Sequence, residues 1–176
     1  MTGGVVIRSL DAEQAEAAIS ALSEVLIDCV ETGASVSFMA PLERAKAEAF
    51  WRGVAGGVAA GERVLLVAAD AASGEILGTV QLVTGQPENQ PHRADVAKML
   101  VRHAARRRGV GAALMRAAEQ QARACGKSLL VLDTASQDAE RLYERSGWVR
   151  VGVVPGYALL PDGRPCDTAY YYKRIA

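Results

Sequence analysis

Apolar positions change their spacing several times along the chain, and each change marks an element. "VVIRSL", Val5 to Leu10, reads as a short strand. Past Ser9, Ile19, Leu22, Leu26 and Cys29 recur at three- and four-residue steps and form one long apolar stripe, with Gly33 placed to cap its end. Pro41 fits the first turn of a second helix, "PLERAKAEAFWRGVAGGVAAG", which Gly61 closes. Two β-rich runs then flank Ala72, Ser73 and Gly74, as an antiparallel hairpin requires. "GQPENQPHR" is a polar loop, and "ADVAKMLV", Ala94 to Val101, is the next strand. A helix follows the arginines at 106–108 and stops at Gly126. "SLLVLD", Ser128 to Asp133, is continuously apolar up to its last residue, the mark of a strand buried on both faces. "DAERLYERSG" is a short helix ended by Gly147. "WVRVGVV" is a strand, "PGYALLPDGRP" a loop turning at Pro161–Gly163, and "DTAYYYKRI" the last strand.

The resulting order is β-α-α-β-β-β-α-β-α-β-β. Strands meander first and alternate with helices later. This predicts an α/β (α+β) fold with a central mixed, twisted sheet of about seven strands and helices on both faces. The step from "ADVAKMLV" through its helix to "SLLVLD" should be a parallel, right-handed crossover. With 176 residues and neither repeat nor linker, residues 1–176 form a single domain.

Twenty basic residues balance twenty acidic ones, so there is no global basic field to hold nucleic acid. Cys29, Cys125 and Cys166 are scattered and odd in number, which suits reduced thiols in a cytoplasmic protein. The first residues carry no apolar stretch of signal-peptide length, and no run approaches the roughly 20 apolar residues that span a bilayer. His92 and His103 have no partners at metal-ligand spacing, so no metal site is expected.

The arginines pose a question. Arg106, Arg107 and Arg108 stand just before a helix, at the end that favours anions. A strand, a turn with Gly109 and Gly111, and a helix N-terminus together offer unpaired N–H groups to an anion such as a pyrophosphate. The three arginines then become counter-charges. Two other phosphate sites are excluded. There is no Gly-Lys-Ser/Thr triplet for a Walker loop, and Leu114 stands where a dinucleotide fingerprint needs its third glycine.

"MLVRHAARRRGVGAAL" resembles the signature of the GCN5-related N-acetyltransferases, a valine-ended strand followed by Q/R-x-x-G-x-G/A; Arg106, Gly109 and Gly111 match it. The family often has proline at His103 and glycine at Arg107. Its "A-x-x-L-Y-x-x-x-G-F" is matched by Ala139, Leu142, Tyr143, Gly147 and Trp148, while Ser136 stands where asparagine is common. "GASVSFMAP", "RADVAKMLV", "LDT" and "PGYALLPDGR" resemble the tabtoxin-resistance branch, which acts on a small amino-acid-like antimetabolite. The resemblance implies that acetyl-CoA is the donor, with its pyrophosphate on the loop and helix start at Arg106, Arg107, Arg108, Gly109, Val110, Gly111 and Ala112. Its pantetheine would lie along Met99, Leu100 and Val101, beside Ser136, Ala139 and Tyr143.

Acetyl transfer to an amine requires a proton acceptor for the amine, a polarised carbonyl and a proton donor for the leaving thiolate. The resemblance makes Tyr143 the donor; read alone, it is a half-buried helix aromatic. Asp133 ends an apolar strand at its carboxyl edge, where ligands of α/β sheets sit, and is the candidate base unless it merely caps the next helix. Asp95 and a water are the alternatives. Tyr170 and Tyr172 share one face of the last strand and Tyr171 takes the other. Phe38 and Met39 are candidate wall residues for the acceptor. The reading is an acetyltransferase acting on the primary amine of a small molecule, without nucleic acid or membrane partners and with a homodimer left open. An inactive acetyl-CoA sensor and a protein N-acetyltransferase are the alternatives.

Overall fold

The computed structural model describes residues 4–175; residues 1–3 and 176, which the sequence reading includes in the same domain, lie outside it. Seven strands form one sheet: β1 (Val5–Leu10), β2 (Arg63–Asp70), β3 (Ile76–Val83), β4 (Arg93–Val101), β5 (Leu129–Thr134), β6 (Val149–Leu159) and β7 (Pro165–Arg174). Their spatial order is β1-β2-β3-β4-β5-β7-β6. Every pair is antiparallel except β4–β5, the pair joined by a helix as the pattern predicts.

The helices divide between the two faces. Helices α1 (Ala12–Ala17), α2 (Ile19–Glu31) and α3 (Arg44–Ala59) share a core with Leu65, Val67 and Leu100. On the opposite face α4 (Val110–Ala124) buries Leu114, Met115 and Ala118 against Leu66, Val80 and Leu130. Helix α5 (Gln137–Arg145) adds Tyr143 to that second core. Successive side chains of β2 thus feed opposite cores, which explains why its sequence runs apolar without alternation.

Three sequence expectations change. The first stripe is two helices, not one: Asp11 caps α1 by accepting from the Gln14 N–H at 2.8 Å, and the chain is broken at Ala18. Ser9 lies inside β1, opposite Leu66. Pro41 precedes α3 rather than starting it, because Leu42 is spent filling the core and the helix begins at Arg44. "PGYAL" continues β6 beyond an irregularity between Val154 and Ala158, where the Gly156 N–H donates to Asp167 Oδ1 at 2.8 Å. A proline and a glycine in sequence signal a loop. Here they sit on an edge strand, which tolerates both.

Candidate active site

Strands β4 and β5 are paired only over Arg93–Asp95 and Leu129–Val131. Beyond that rung they part, so Ala97–Val101 of β4 pair on one side with β3 alone. The fork leaves a free strand edge, and the start of α4 lies at its open end. β4 bends at Lys98, whose φ is 49°, where its register with β3 shifts.

The loop after β4 is pinned from beneath. The His103 N–H donates to Asp28 Oδ2 at 2.6 Å. Arg106 turns back into the protein, donating to the Val101 carbonyl at 3.3 Å and to Thr32 Oγ1 at 3.1 Å. All three arginines are exposed, but Arg106 braces the loop against the end of α2, whereas Arg107 and Arg108 make no side-chain hydrogen bond among the described residues. Arg107 has φ 61° and Gly109 φ 79°, a left-handed pair that turns the chain into α4. Among the described residues, none of the six backbone N–H groups from Arg107 to Ala112 donates to a protein acceptor. This is an anion cradle of the kind found at helix N-termini. Gly109 has open space where a Cβ would stand. Gly111 does not: a Cβ there would approach Leu142 Cδ2 at 3.2 Å and Met99 Sδ at 3.7 Å, so this glycine lets α4 close on α5 and β4.

Tyr143 is placed by the end of its own helix. The Gly147 N–H donates to the Glu144 carbonyl and the Trp148 N–H to the Tyr143 carbonyl, a Schellman closure that needs the positive φ of 79° at Gly147. This closure packs Trp148 on Tyr143, with ring centroids 5.9 Å apart. "LYERSGW" is therefore one geometric unit. The Tyr143 ring is buried, yet its hydroxyl has no hydrogen-bond partner among the described residues and is not sealed from solvent. Burial, with a smaller effect from the Asp133 charge, pushes its pKa well above the usual tyrosine range.

Asp133 is exposed at the end of β5, where it accepts from Thr168 Oγ1 at 3.0 Å. It does not cap α5. Ser136 does, accepting from the Ala139 N–H at 3.3 Å. Asp95 stands on the last rung of the fork, and its carboxylate is already engaged by Arg93 and by Gln86 Nε2. Asp133, by contrast, borders a cavity of about 340 Å³ whose walls include Ser37, Phe38, Met39, Tyr157 and Thr168. The loop between α2 and α3 covers it, and that loop is clipped to the β6–β7 hairpin: Ser35 Oγ donates to the Leu159 carbonyl and the Ala40 N–H to the Pro161 carbonyl, both at 3.1 Å. Tyr170 pairs with Asp133 across β7, and its hydroxyl donates to the Tyr157 hydroxyl at 3.0 Å. Tyr171 is core, held by Glu140 at 2.7 Å.

The structure thus gathers Met99, Leu100 and Val101 on the forked strand, Arg107 to Ala112 at the helix start, and Asp133 at the cavity. Sequence reasoning missed Lys98, Ser37 and Thr168. A lone lysine inside the apolar run "ADVAKMLV" was the available signal.

A seven-stranded sheet forked between two parallel strands leaves a strand edge and the unpaired N–H groups of a helix start side by side. Residues 30–148 match the acetyltransferase (GNAT) family, and the chain belongs to it. Among solved structures it resembles a GNAT-superfamily phosphinothricin acetyltransferase from Sinorhizobium meliloti in complex with acetyl-CoA (19% identity, 100% and 90% of the two chains covered, TM-score 0.79). It also resembles YncA from Salmonella typhimurium, solved with its cofactor acetyl-CoA (20% identity, 98% and 94% covered, TM-score 0.75). A third is a ribosomal-protein-alanine N-acetyltransferase from Brucella melitensis (20% identity, 96% and 99% covered, TM-score 0.76).

Proposed function

We propose that the protein is an acetyl-CoA-dependent N-acetyltransferase that modifies the primary amine of a small molecule by direct transfer in a ternary complex. The observation that carries the reading is the meeting of the forked β4 edge, the free N–H groups of Arg107–Ala112 and the cavity beside Asp133.

The donor fits the residues present. The N–H groups from Arg107 to Ala112 hold the pyrophosphate, with Arg107 and Arg108 as counter-charges. Met99 and Val101 offer their backbone to the pantetheine arm, and Ala139 and Leu142 of α5 wall it. Ser136 contributes as the cap of α5, its hydroxyl already accepting from Ala139. Acetyl-CoA supplies a thioester whose C–S bond breaks as the acceptor nitrogen adds to the acetyl carbon. Asp133 orients the ammonium and takes its proton, directly or through a water. Tyr143 donates its hydroxyl proton to the departing sulfur. Its raised pKa keeps that proton in place at neutral pH. The neighbours include enzymes of both small-molecule and protein acceptors. The α2–α3 loop, clipped to the hairpin, narrows one side of the cavity, which favours a small acceptor over a polypeptide.

The test is thiol release from acetyl-CoA across amines, amino acids, amine-bearing antibiotics and N-terminal peptides, with the acetylated product identified by mass spectrometry. Turnover of a small amine supports the reading. Turnover of peptides alone assigns a protein acceptor, and tight acetyl-CoA binding without turnover of any acceptor overturns the transferase.

A further inference from the structure

We propose that Lys98 is a specificity-determining residue, whose ammonium receives a carboxylate on the same acceptor whose amine faces Asp133. This rests on the reading of the cavity as the acceptor site.

Lys98 projects from the bend in β4 on the side of the sheet covered by α3. Its Nζ donates to Ser37 Oγ at 3.0 Å and lies 5.7 Å from the centre of the Phe50 ring. Ser37 borders the cavity that Asp133 borders. Among the described residues no carboxylate lies within ion-pair distance of Lys98. Arg63 adds a second cation on this face: its guanidinium donates to Gln81 Oε1 at 2.9 Å and likewise pairs with no carboxylate. A partly buried ammonium without a counter-ion is costly unless something supplies the charge. Burial lowers the Lys98 pKa, the Asp133 charge opposes that shift and the Arg63 charge adds to it.

The backbone points the same way. Lys98 and Ser37 both adopt left-handed φ, 49° and 78°, although neither is glycine. They are joined by the bond between their own side chains. Strain of this kind gathers where a site must be held in place. A cation held directly behind Ser37 at the cavity's edge, with Asp133 on the same cavity, complements an acceptor that carries ammonium and carboxylate together.

The test sets α-amino acids against their own amides and decarboxylated amines. Binding to the CoA-loaded protein is followed by calorimetry, and transfer by thiol release. At least one amino acid should be preferred over its amide by about tenfold or more, the worth of a charge-assisted hydrogen bond. Lys98→Met should remove that preference by raising the KM of the carboxylate substrate, leaving the amide within about threefold of its wild-type value. Lys98→Arg should keep most of the preference, and Ser37→Ala should lose part of it. The inference is overturned if the CoA-loaded protein binds no amino acid, if amides or plain amines are preferred, or if the preference survives in Lys98→Met. Amino-acid binding that depends on Lys98, without thiol release, would sustain the inference and overturn the transferase reading instead.

Discussion

Tyr143 separates two properties that a tyrosine usually combines. Its ring packs on Trp148 and Tyr171, while its hydroxyl bonds to no protein group among the described residues. Tyr143→Phe should therefore leave thermal stability nearly unchanged and acetyl-CoA affinity within a few-fold. Its kcat should fall by about 10²–10⁴, the usual contribution of a general acid. A kcat within about threefold of wild type would make it a packing residue. The pH dependence has a definite sign. The folded-state pKa is raised above the unfolded value of about 10. The unfolded chain thus releases this proton first, and stability falls as pH rises beyond about 10. Tyr143→Phe should flatten that alkaline fall in melting temperature, leaving the parts due to Tyr171, whose pKa burial and its bonds to Glu140 and Glu144 also raise, and to Tyr170, raised by its bond to Tyr157. For Asp133, Asp133→Asn should lower kcat or raise the acceptor KM and leave acetyl-CoA binding nearly unchanged, because the carboxylate does not cap α5 and, among the described residues, accepts only from Thr168. Calorimetry showing an equal loss of acetyl-CoA affinity would count against its acceptor role.

At the scale of elements, the α4 start divides its arginines by task. Arg106 is tied to Val101 and Thr32, so Arg106→Gln should lower the melting temperature. Among the described residues, Arg107 and Arg108 make no such bonds. Replacing both with glutamine should weaken acetyl-CoA several-fold at low salt, and the deficit should shrink as ionic strength screens exposed charges. Binding isotherms at two salt concentrations check this; a salt-independent loss would mean the loop itself had moved. Gly109 is a poorer probe of the cradle than its position suggests. Any side chain there must adopt φ 79°, at a cost of about 1–2 kcal/mol, before it meets a ligand.

At the scale of the molecule, the last strand is anchored by charge. Lys173 Nζ donates to Glu119 Oε1 at 2.7 Å and to the Ser146 carbonyl at 2.6 Å, joining β7 to α4 and to the end of α5. The two side chains are only 20% and 10% exposed. Lys173→Met should cost about 2–4 kcal/mol in denaturant unfolding, since it leaves the largely buried Glu119 carboxylate only the longer contact to Arg123, at 3.9 Å, among the described residues. Adding Glu119→Gln should recover part of that loss. Independent, additive losses would show that the pair is not coupled.

The sequence by itself determined the seven strands, their order along the chain and the one parallel pair, because apolar spacing and strand–helix alternation are local or nearly local signals. It also determined the two motifs. Each is a local device: a left-handed turn opening α4, and a helix closure that carries Tyr143. Only the tertiary structure decided how far β4 and β5 stay paired, since the fork depends on which rungs close in three dimensions. The same holds for the turning back of Arg106 and for the cap on α5 that leaves Asp133 free. Pro155 and Gly156 read locally as loop, yet an edge strand with one unpaired side holds them within β6. Lys98 meets Ser37 across 61 residues of chain, and no periodicity within "ADVAKMLV" encodes that meeting. Contacts between distant segments are set by packing of the whole sheet, which is why the cavity, unlike the elements around it, could be read only from the fold.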